Sequence, residues 1–338
     1  YLFKYLNKNK NILSKKNNCM PNITYVSARK KNLNRGFKIK KKQWLNNYLD
    51  ATQKKDVDLI IELIGGAEGA AKKLVFNALK NKKHVVTANK ALIAKYGDQL
   101  AKIAEKNKVN LEFEASVCGG VPIIRSLKES LIANKITKIY GILNGTSNYV
   151  LSSMDRNKKN FQEVLSDAKK LGYAETNPSA DLNGDDVSAK LKILSSLCFN
   201  SFLNDNVYVE GIKEIDQTDV NNARRLGYKI KLLGFAEVIN NKIYQRVHPT
   251  LIKKNSYVAS IDGVLNAVII DGKPVGQSII QGEGAGPAAT TSALISDISS
   301  ILRGNIKFPF SVSANERKKL KVNTIEERLF SAYLRFEV

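Results

Sequence analysis

The feature that most constrains this sequence is the run of branched apolar residues at 56–64 (DVDLIIELI), which breaks directly into Gly65-Gly66 and is followed by a helical segment over 67–80. The alternation then repeats. His84–Thr87 (HVVT) reads as a short strand, 91–106 as a helix carrying Leu92, Ile93, Leu100 and Ile103, and 109–115 as another strand. Strands that are apolar throughout are buried on both faces, and strands separated by helices of roughly 10–15 residues belong to a parallel sheet. The pattern predicts an α/β fold with a doubly wound parallel sheet. Residues 22–27 (NITYVS) are a further candidate strand.

After about residue 140 the pattern changes to strands at hairpin-like spacing, at 139–144, 207–212, 234–239, 242–247 and 267–270, with helices at 161–171 and 187–197 between them. Asn240-Asn241 is a short turn between two of these strands. This predicts a second, α+β domain. The expected division is 1–140, 141–304 with its last helix a candidate to return to the first domain, and a remainder at 305–338, of which 308–321 reads as a linker. The chain opens at Tyr1-Leu2-Phe3 inside an apparent amphipathic helix, and 331–338 (SAYLRFEV) alternates like a strand that lacks its turn. It reads as a fragment cut at both ends.

No apolar run approaches the roughly 20 residues that span a bilayer. Three cysteines, Cys19, Cys118 and Cys198, lack CxxC spacing and make neither a disulfide framework nor a zinc site, which fits a reducing, cytoplasmic setting. The net charge of +23 raises nucleic acid as a partner, but residues 1–55 alone hold fifteen Lys or Arg against one acid, Asp50. Lysine, not arginine, dominates, so a solvated surface accounts for most of the excess and nucleic acid is not the expected partner.

A parallel sheet binds ligands beyond the carboxyl ends of its strands. There the chain offers Gly65-Gly66, then Thr87-Ala88-Asn89-Lys90, then Ser116-Val117-Cys118-Gly119-Gly120. The dinucleotide fingerprint GxGxxG is absent, and if the domain binds a dinucleotide the glycine loop belongs upstream of Tyr1. Gly282-Glu283-Gly284-Ala285-Gly286-Pro287 is a weak motif that a tight strand-to-helix connection explains as well. The acids and the lysine of 172–190 (GYAETNPSADLNGDDVSAK) are more suggestive: Asp186 and Lys190 are four apart and share a helix face. On spacing alone this is an ordinary helical ion pair.

The segment 168–190 resembles, residue by residue, the signature of the homoserine dehydrogenases, A-x3-G-Y-A-x2-N-P-x2-D-L-x-G-x-D-x3-K, with Asn177 where Asp is commoner. ELIGG at 62–66, HVVTANK at 84–90, EASVCGGVPII at 114–124, NGTSNY at 144–149, VYVEGI at 207–212, RVHPTL at 246–251 and GEGAG at 282–286 resemble that family's segments in the same order. The resemblance implies a Rossmann-type domain without its first strand, joined to a catalytic and dimerisation domain. It implies NAD(P)H-dependent, reversible reduction of L-aspartate 4-semialdehyde to L-homoserine, on the route to threonine and methionine, by a homodimer or higher oligomer. By the same resemblance Lys190 and Asp186 are catalytic, and Glu175, Asp186 and Lys90 bind substrate. Gly65, Gly66, Lys90 and Gly286 contact the cofactor. A monovalent cation, sodium or potassium, would lie on backbone carbonyls at Glu114, Val117, Gly119 and Val121. Residues 333–338 resemble the opening strand of the ACT-like regulatory domain of longer members. An inactive homologue and a basic nucleic-acid-binding protein are the alternative readings.

The strand expected at 22–27 runs into Ser27-Ala28-Arg29-Lys30-Lys31 with no acid before Asp50, so no local carboxylate is available to the adenine ribose 2′-hydroxyl of NAD(H). Arg29 offers a bidentate fork to a 2′-phosphate instead, which makes NADP(H) the expected cofactor. In the whole protein kcat/KM should favour NADPH over NADH, and Arg29→Ala should reduce that ratio. A wild type preferring NADH, or an unchanged ratio, overturns the assignment.

Overall fold

The structure, a computed structural model, describes residues 1–203, 205–324, 327 and 330–336. Two short helices, α1 (Leu2–Lys8) and α2 (Lys10–Asn17), open it, and 3₁₀ turns at Lys41–Gln43 and Tyr48–Thr52 follow. Then come β1 (Leu59–Glu62), α3 (Ala70–Lys80), β2 (His84–Thr87), α4 (Lys90–Asn107) and β3 (Leu111–Glu112). The three strands are parallel, in the order β1-β2-β3. Both faces are covered, as continuous apolar strands require. Ile60 and Val85 pack into a core shared with α3 and α4, while Val86 meets residues of a helix from far down the chain.

Residues 22–27 do not form a strand of this sheet. Val26 alone makes a ladder contact there, a parallel bridge to Trp44. A β-prone sequence becomes a strand only beside a partner edge, and no sheet strand borders this segment.

Beyond β3 the chain makes a 3₁₀ turn at Glu114–Ser116, the single turn α5 (Ile123–Arg125) and a π-helical turn at Ser126–Ser130. The second sheet begins with β4 (Lys135–Ile142), ahead of the boundary placed at 141. After it come α6 (Gly145–Asn157), α7 (Phe161–Lys170), α8 (Ser179–Asn183), α9 (Asp185–Phe199), β5 (Tyr208–Val209) and α10 (Gln217–Arg225). The long strands β6 (Tyr228–Ile239), β7 (Lys242–Lys253), β8 (Leu265–Lys273) and β9 (Gly276–Glu283) follow, then α11 (Pro287–Leu302) and β10 (Lys321–Val322). The sheet is mixed, with order β10-β7-β6-β4-β8-β9 and β5 also on β7. Asn240 and Asn241 join β6 to β7 with φ of 50° and 59°, the left-handed pair whose twist suits a two-residue hairpin. The helix α6 has no counterpart in the sequence expectations. Its opening GTSN has loop composition, and Asn144 makes it a helix start by accepting from Ser147 N–H at 2.8 Å.

The helix α11 leaves the second sheet and lies on the first, where Leu294 and Ile298 pack on Val86. The segment read as a linker is packed too, with Phe310 fully buried. Residues 331–336 join no strand; Tyr333 and Arg335 instead contact Asp219 of α10 and Asp216, which caps that helix, and residues 337–338 lie outside the described residues. Among the described residues no helix is long and apolar enough to cross a membrane.

Leu294 is 1% exposed under the sheet and Leu171 is 58% exposed. Leu294→Ala should cost about 2–5 kcal/mol of stability, Leu171→Ala no more than about 0.5 kcal/mol, read as urea midpoints. Equal midpoints would mean that α11 does not close the first sheet.

Candidate active site

The site forms where α4 of the first domain meets α9 of the second. Asn89 caps α4 by accepting from Leu92 N–H at 3.0 Å, and this places Lys90 on the first turn. Asp186 lies in the first turn of α9, where a carboxylate complements the helix dipole, and Lys190 follows one turn later. The Asp186 carboxylate takes Lys90 Nζ at 3.0 Å on Oδ1 and Lys190 Nζ at 2.8 Å on Oδ2. Lys190 also donates to the Leu143 carbonyl at 2.7 Å. Asn144 Nδ2 donates to Asp186 at 2.8 Å and to Asp181 at 2.7 Å.

This is more than the surface i,i+4 pair that spacing alone allows. Asp186 is 7% and Lys190 9% exposed, whereas the Lys90 side chain is 40% exposed. Burial by itself would push the Asp186 carboxyl up, but Lys190 and Lys90 outweigh it and hold the group below the usual carboxylate range. Burial would likewise depress the Lys190 ammonium, and Asp186 overcomes this and raises it. Lowered Asp186 contributes stability above its unfolded value of about 4, lost as pH falls through the folded one; raised Lys190 contributes below about 10, lost as pH rises through the folded one. The stabilisation from the pair is therefore complete from about pH 4 to 10, and the pair itself persists beyond both limits.

The glycine loop after β1 is braced from within. Fully buried Glu62 accepts from Ile64 N–H at 2.7 Å, Gly65 N–H at 3.0 Å and Thr87 Oγ1 at 2.5 Å, and Asn89 Nδ2 donates to the Gly66 carbonyl at 2.7 Å. Gly65 and Gly66 have φ of +82° and +80°, with nothing within 4 Å of where a Cβ would stand. Glycine is required there by backbone conformation, and the open space leaves the backbone approachable, which fits a dinucleotide. Gly286, with φ +105°, precedes α11 in equally open space.

The 114–121 loop packs on the 282–286 turn. Gly120 N–H donates to the Glu283 carbonyl at 2.8 Å, and a Cβ on Gly119 would stand 2.8 Å from the Gly284 carbonyl oxygen. Burial pushes the Glu114 carboxyl up to about 7, against the Arg125 and Ile124 N–H groups it accepts from at 2.6 and 2.9 Å. Among the described residues no three His, Cys, Asp or Glu side chains converge on a metal position.

Of the residues singled out from sequence, the structure joins Lys90, Asp186 and Lys190 by direct contact. Glu175 and Arg29 are exposed, and among the described residues neither bonds to a side chain of this cluster. Asn144, Asp181, Glu62 and Asn89 were not assigned a role from sequence. Asn144 and Glu62 end strand segments or lie just after them, so the rule that directs attention beyond strand carboxyl ends could have found them.

Fold and site together define a two-domain α/β protein of the dinucleotide-binding class with a lysine–carboxylate–lysine centre. Residues 9–114 match the family model "Homoserine dehydrogenase, NAD binding domain" and residues 122–299 match "Homoserine dehydrogenase". The homoserine dehydrogenase of Neisseria gonorrhoeae is 47% identical over 251 residues, 74% of this chain and 58% of that protein, and the Synechocystis enzyme is 42% identical over 292 residues, 83% of this chain and 67% of that one. The crystal structure of a homoserine dehydrogenase from Thiobacillus denitrificans superposes with a TM-score of 0.90 at 36% identity, covering 95% of this chain and 76% of that chain. A hyperthermophilic archaeal homoserine dehydrogenase in complex with NADPH gives 0.67 at 26% identity, covering 77% of each chain. The chain belongs to the homoserine dehydrogenase family. It spans 58% of the length of its Neisseria relative.

Replacing Asp186 by Asn removes the charge that offsets burial at Lys190. In Asp186→Asn the Lys190 ammonium should titrate below the ordinary lysine value, by at least about one unit, measured by NMR of labelled lysine side chains. Titration still above that value would show that Asp186 does not control it.

Proposed function

We propose that the whole protein catalyses the reversible reduction of L-aspartate 4-semialdehyde to L-homoserine with a nicotinamide cofactor, NADP(H) in preference to NAD(H), on the route to threonine and methionine. The observation that carries this reading is the buried ammonium of Lys190, held by Asp186 and the Leu143 carbonyl at the junction of a dinucleotide-binding domain with a second domain. When bound, the cofactor supplies the hydride. Lys190 hydrogen-bonds the aldehyde oxygen and gives it a proton as alkoxide character develops, and Asp186 keeps that lysine charged and aimed. Lys90, more exposed, reaches the substrate and the cofactor's reactive end. Glu175, exposed and without a protein partner among the described residues, takes the substrate α-ammonium. Gly65, Gly66 and Gly286 offer open backbone to the cofactor, and Arg29 its guanidinium to the 2′-phosphate. The carbonyls of Glu114, Val117, Gly119 and Val121 hold a monovalent cation that stiffens the loop.

A homodimer or higher oligomer is part of this reading, supported by exposed Tyr257, Val275 and Ile279 on and beside the edge strand β9. So is a reducing, cytoplasmic setting, supported by three free cysteines.

Lys190→Ala should abolish semialdehyde reduction while leaving NADPH affinity nearly unchanged, because the lost hydrogen bond matters most in the transition state. Steady-state kinetics and a binding titration decide it. A loss below about tenfold, roughly 1.4 kcal/mol, would remove Lys190 from the chemistry.

A further inference from the structure

The segment between α11 and β10 is keyed into both helices of the site. The Phe310 ring lies 5.3 Å from that of Phe113 and fills a notch at Gly97 in the middle of α4, where a Cβ would stand 2.8 Å from Phe310 Cζ and 3.0 Å from Leu203 Cδ1. Further on, Arg317 is 4% exposed, with its guanidinium 4.2 Å from the Phe310 ring centre and 5.2 Å from that of Phe202. Its Nη1 is 2.6 Å from Asp98 of α4. Its Nη2 donates to Ser196 Oγ of α9 at 2.5 Å and to the Ser201 carbonyl at 2.6 Å, and Nε donates to the same carbonyl at 3.1 Å. The second Asp98 oxygen accepts from Leu203 N–H at 3.1 Å.

Asp98 lies about two turns beyond Lys90 on α4, and Ser196 about two turns beyond Lys190 on α9. The two helices are thus tied at two levels: by Lys90–Asp186 at their first turns, and by a single guanidinium further along. The planar fork fixes its donors on Ser196 and the Ser201 carbonyl while its charge lies against Asp98, an ion pair through Nη1 and not an aligned hydrogen bond; an ammonium on a flexible stem holds no such orientation.

We propose that Arg317 is a positioning residue for the reaction: it sets the spacing and rotation of α4 against α9, and thereby the reach of Lys90 to Asp186. The proposal rests on the catalytic reading of Lys190 and Asp186 given above.

The test is a cycle of Arg317→Met and Lys90→Ala in the whole protein, with Arg317→Lys alongside, each assayed below its unfolding transition. Arg317→Met should lower kcat about tenfold with KM for NADPH within twofold, and Arg317→Lys should recover thermal stability without recovering kcat. In the Lys90→Ala background Arg317→Met should change kcat less than twofold. Hydrogen exchange should quicken in Arg317→Met at 93–97 and 190–194 and stay unchanged in α3. A folded Arg317→Met with kcat within twofold of wild type, or an equal fractional loss in both backgrounds, overturns the proposal. A wild type that does not reduce aspartate semialdehyde defeats the proposed function instead, and exchange then decides alone, unchanged rates at 93–97 and 190–194 overturning the role of Arg317.

Discussion

The structure depends on one buried carboxylate. Alone in its surroundings Asp186 could not stay ionised, and it does so because two ammonium groups and an amide converge on it from three places: α4, α9 and the turn after β4. Removing the buried partner, Lys190, typically costs about 3–5 kcal/mol, since the carboxylate left behind stays buried, whereas the half-exposed Lys90 contributes less. The same arrangement therefore fastens the first domain to the second and sets the charge state of Lys190. The hold of one domain on the other and the charge of Lys190 share this group, and neither can change without the other.

A chain of side-chain bonds carries this fixed point outward. Asn89 both caps α4, which bears Lys90, and donates to the Gly66 carbonyl, while Glu62 holds the N–H groups of the same glycine loop and the Thr87 hydroxyl. The loop open to a dinucleotide and the lysine that meets Asp186 are consequently parts of one braced unit. A loop already held in place loses little freedom when a ligand arrives.

Much of this was legible in the sequence, for identifiable reasons. The switch from uninterrupted apolar strands to hairpin-spaced ones marked two kinds of sheet, and His84–Thr87 matched the observed strand residue for residue. Asp186 and Lys190 were visible because helix periodicity makes them neighbours, but their burial was not, since it arises from Asn144 and Leu143 more than forty residues upstream. Residues 22–27 misled because β propensity says nothing of whether a partner edge exists. Arg317 was hidden among lysines in a stretch of linker composition, its serine partner 121 residues away. Local spacing reveals local pairs; groups that tie distant segments together carry no signal in either segment alone.

The path of α11 bears on how the chain comes to be folded. Its sequence position puts it after β4 to β9 of the second sheet, yet its apolar side chains close one face of the first, and Asn17 donates to Ser299 across 282 residues. A chain emerging from its N-terminal end has β1, β2 and β3 available long before the layer that covers them. Until α11 is made, that face of the first sheet stays bare, the kind of transient apolar surface that invites misassembly. The two domains are separate in architecture and a single unit in assembly, because one helix returns.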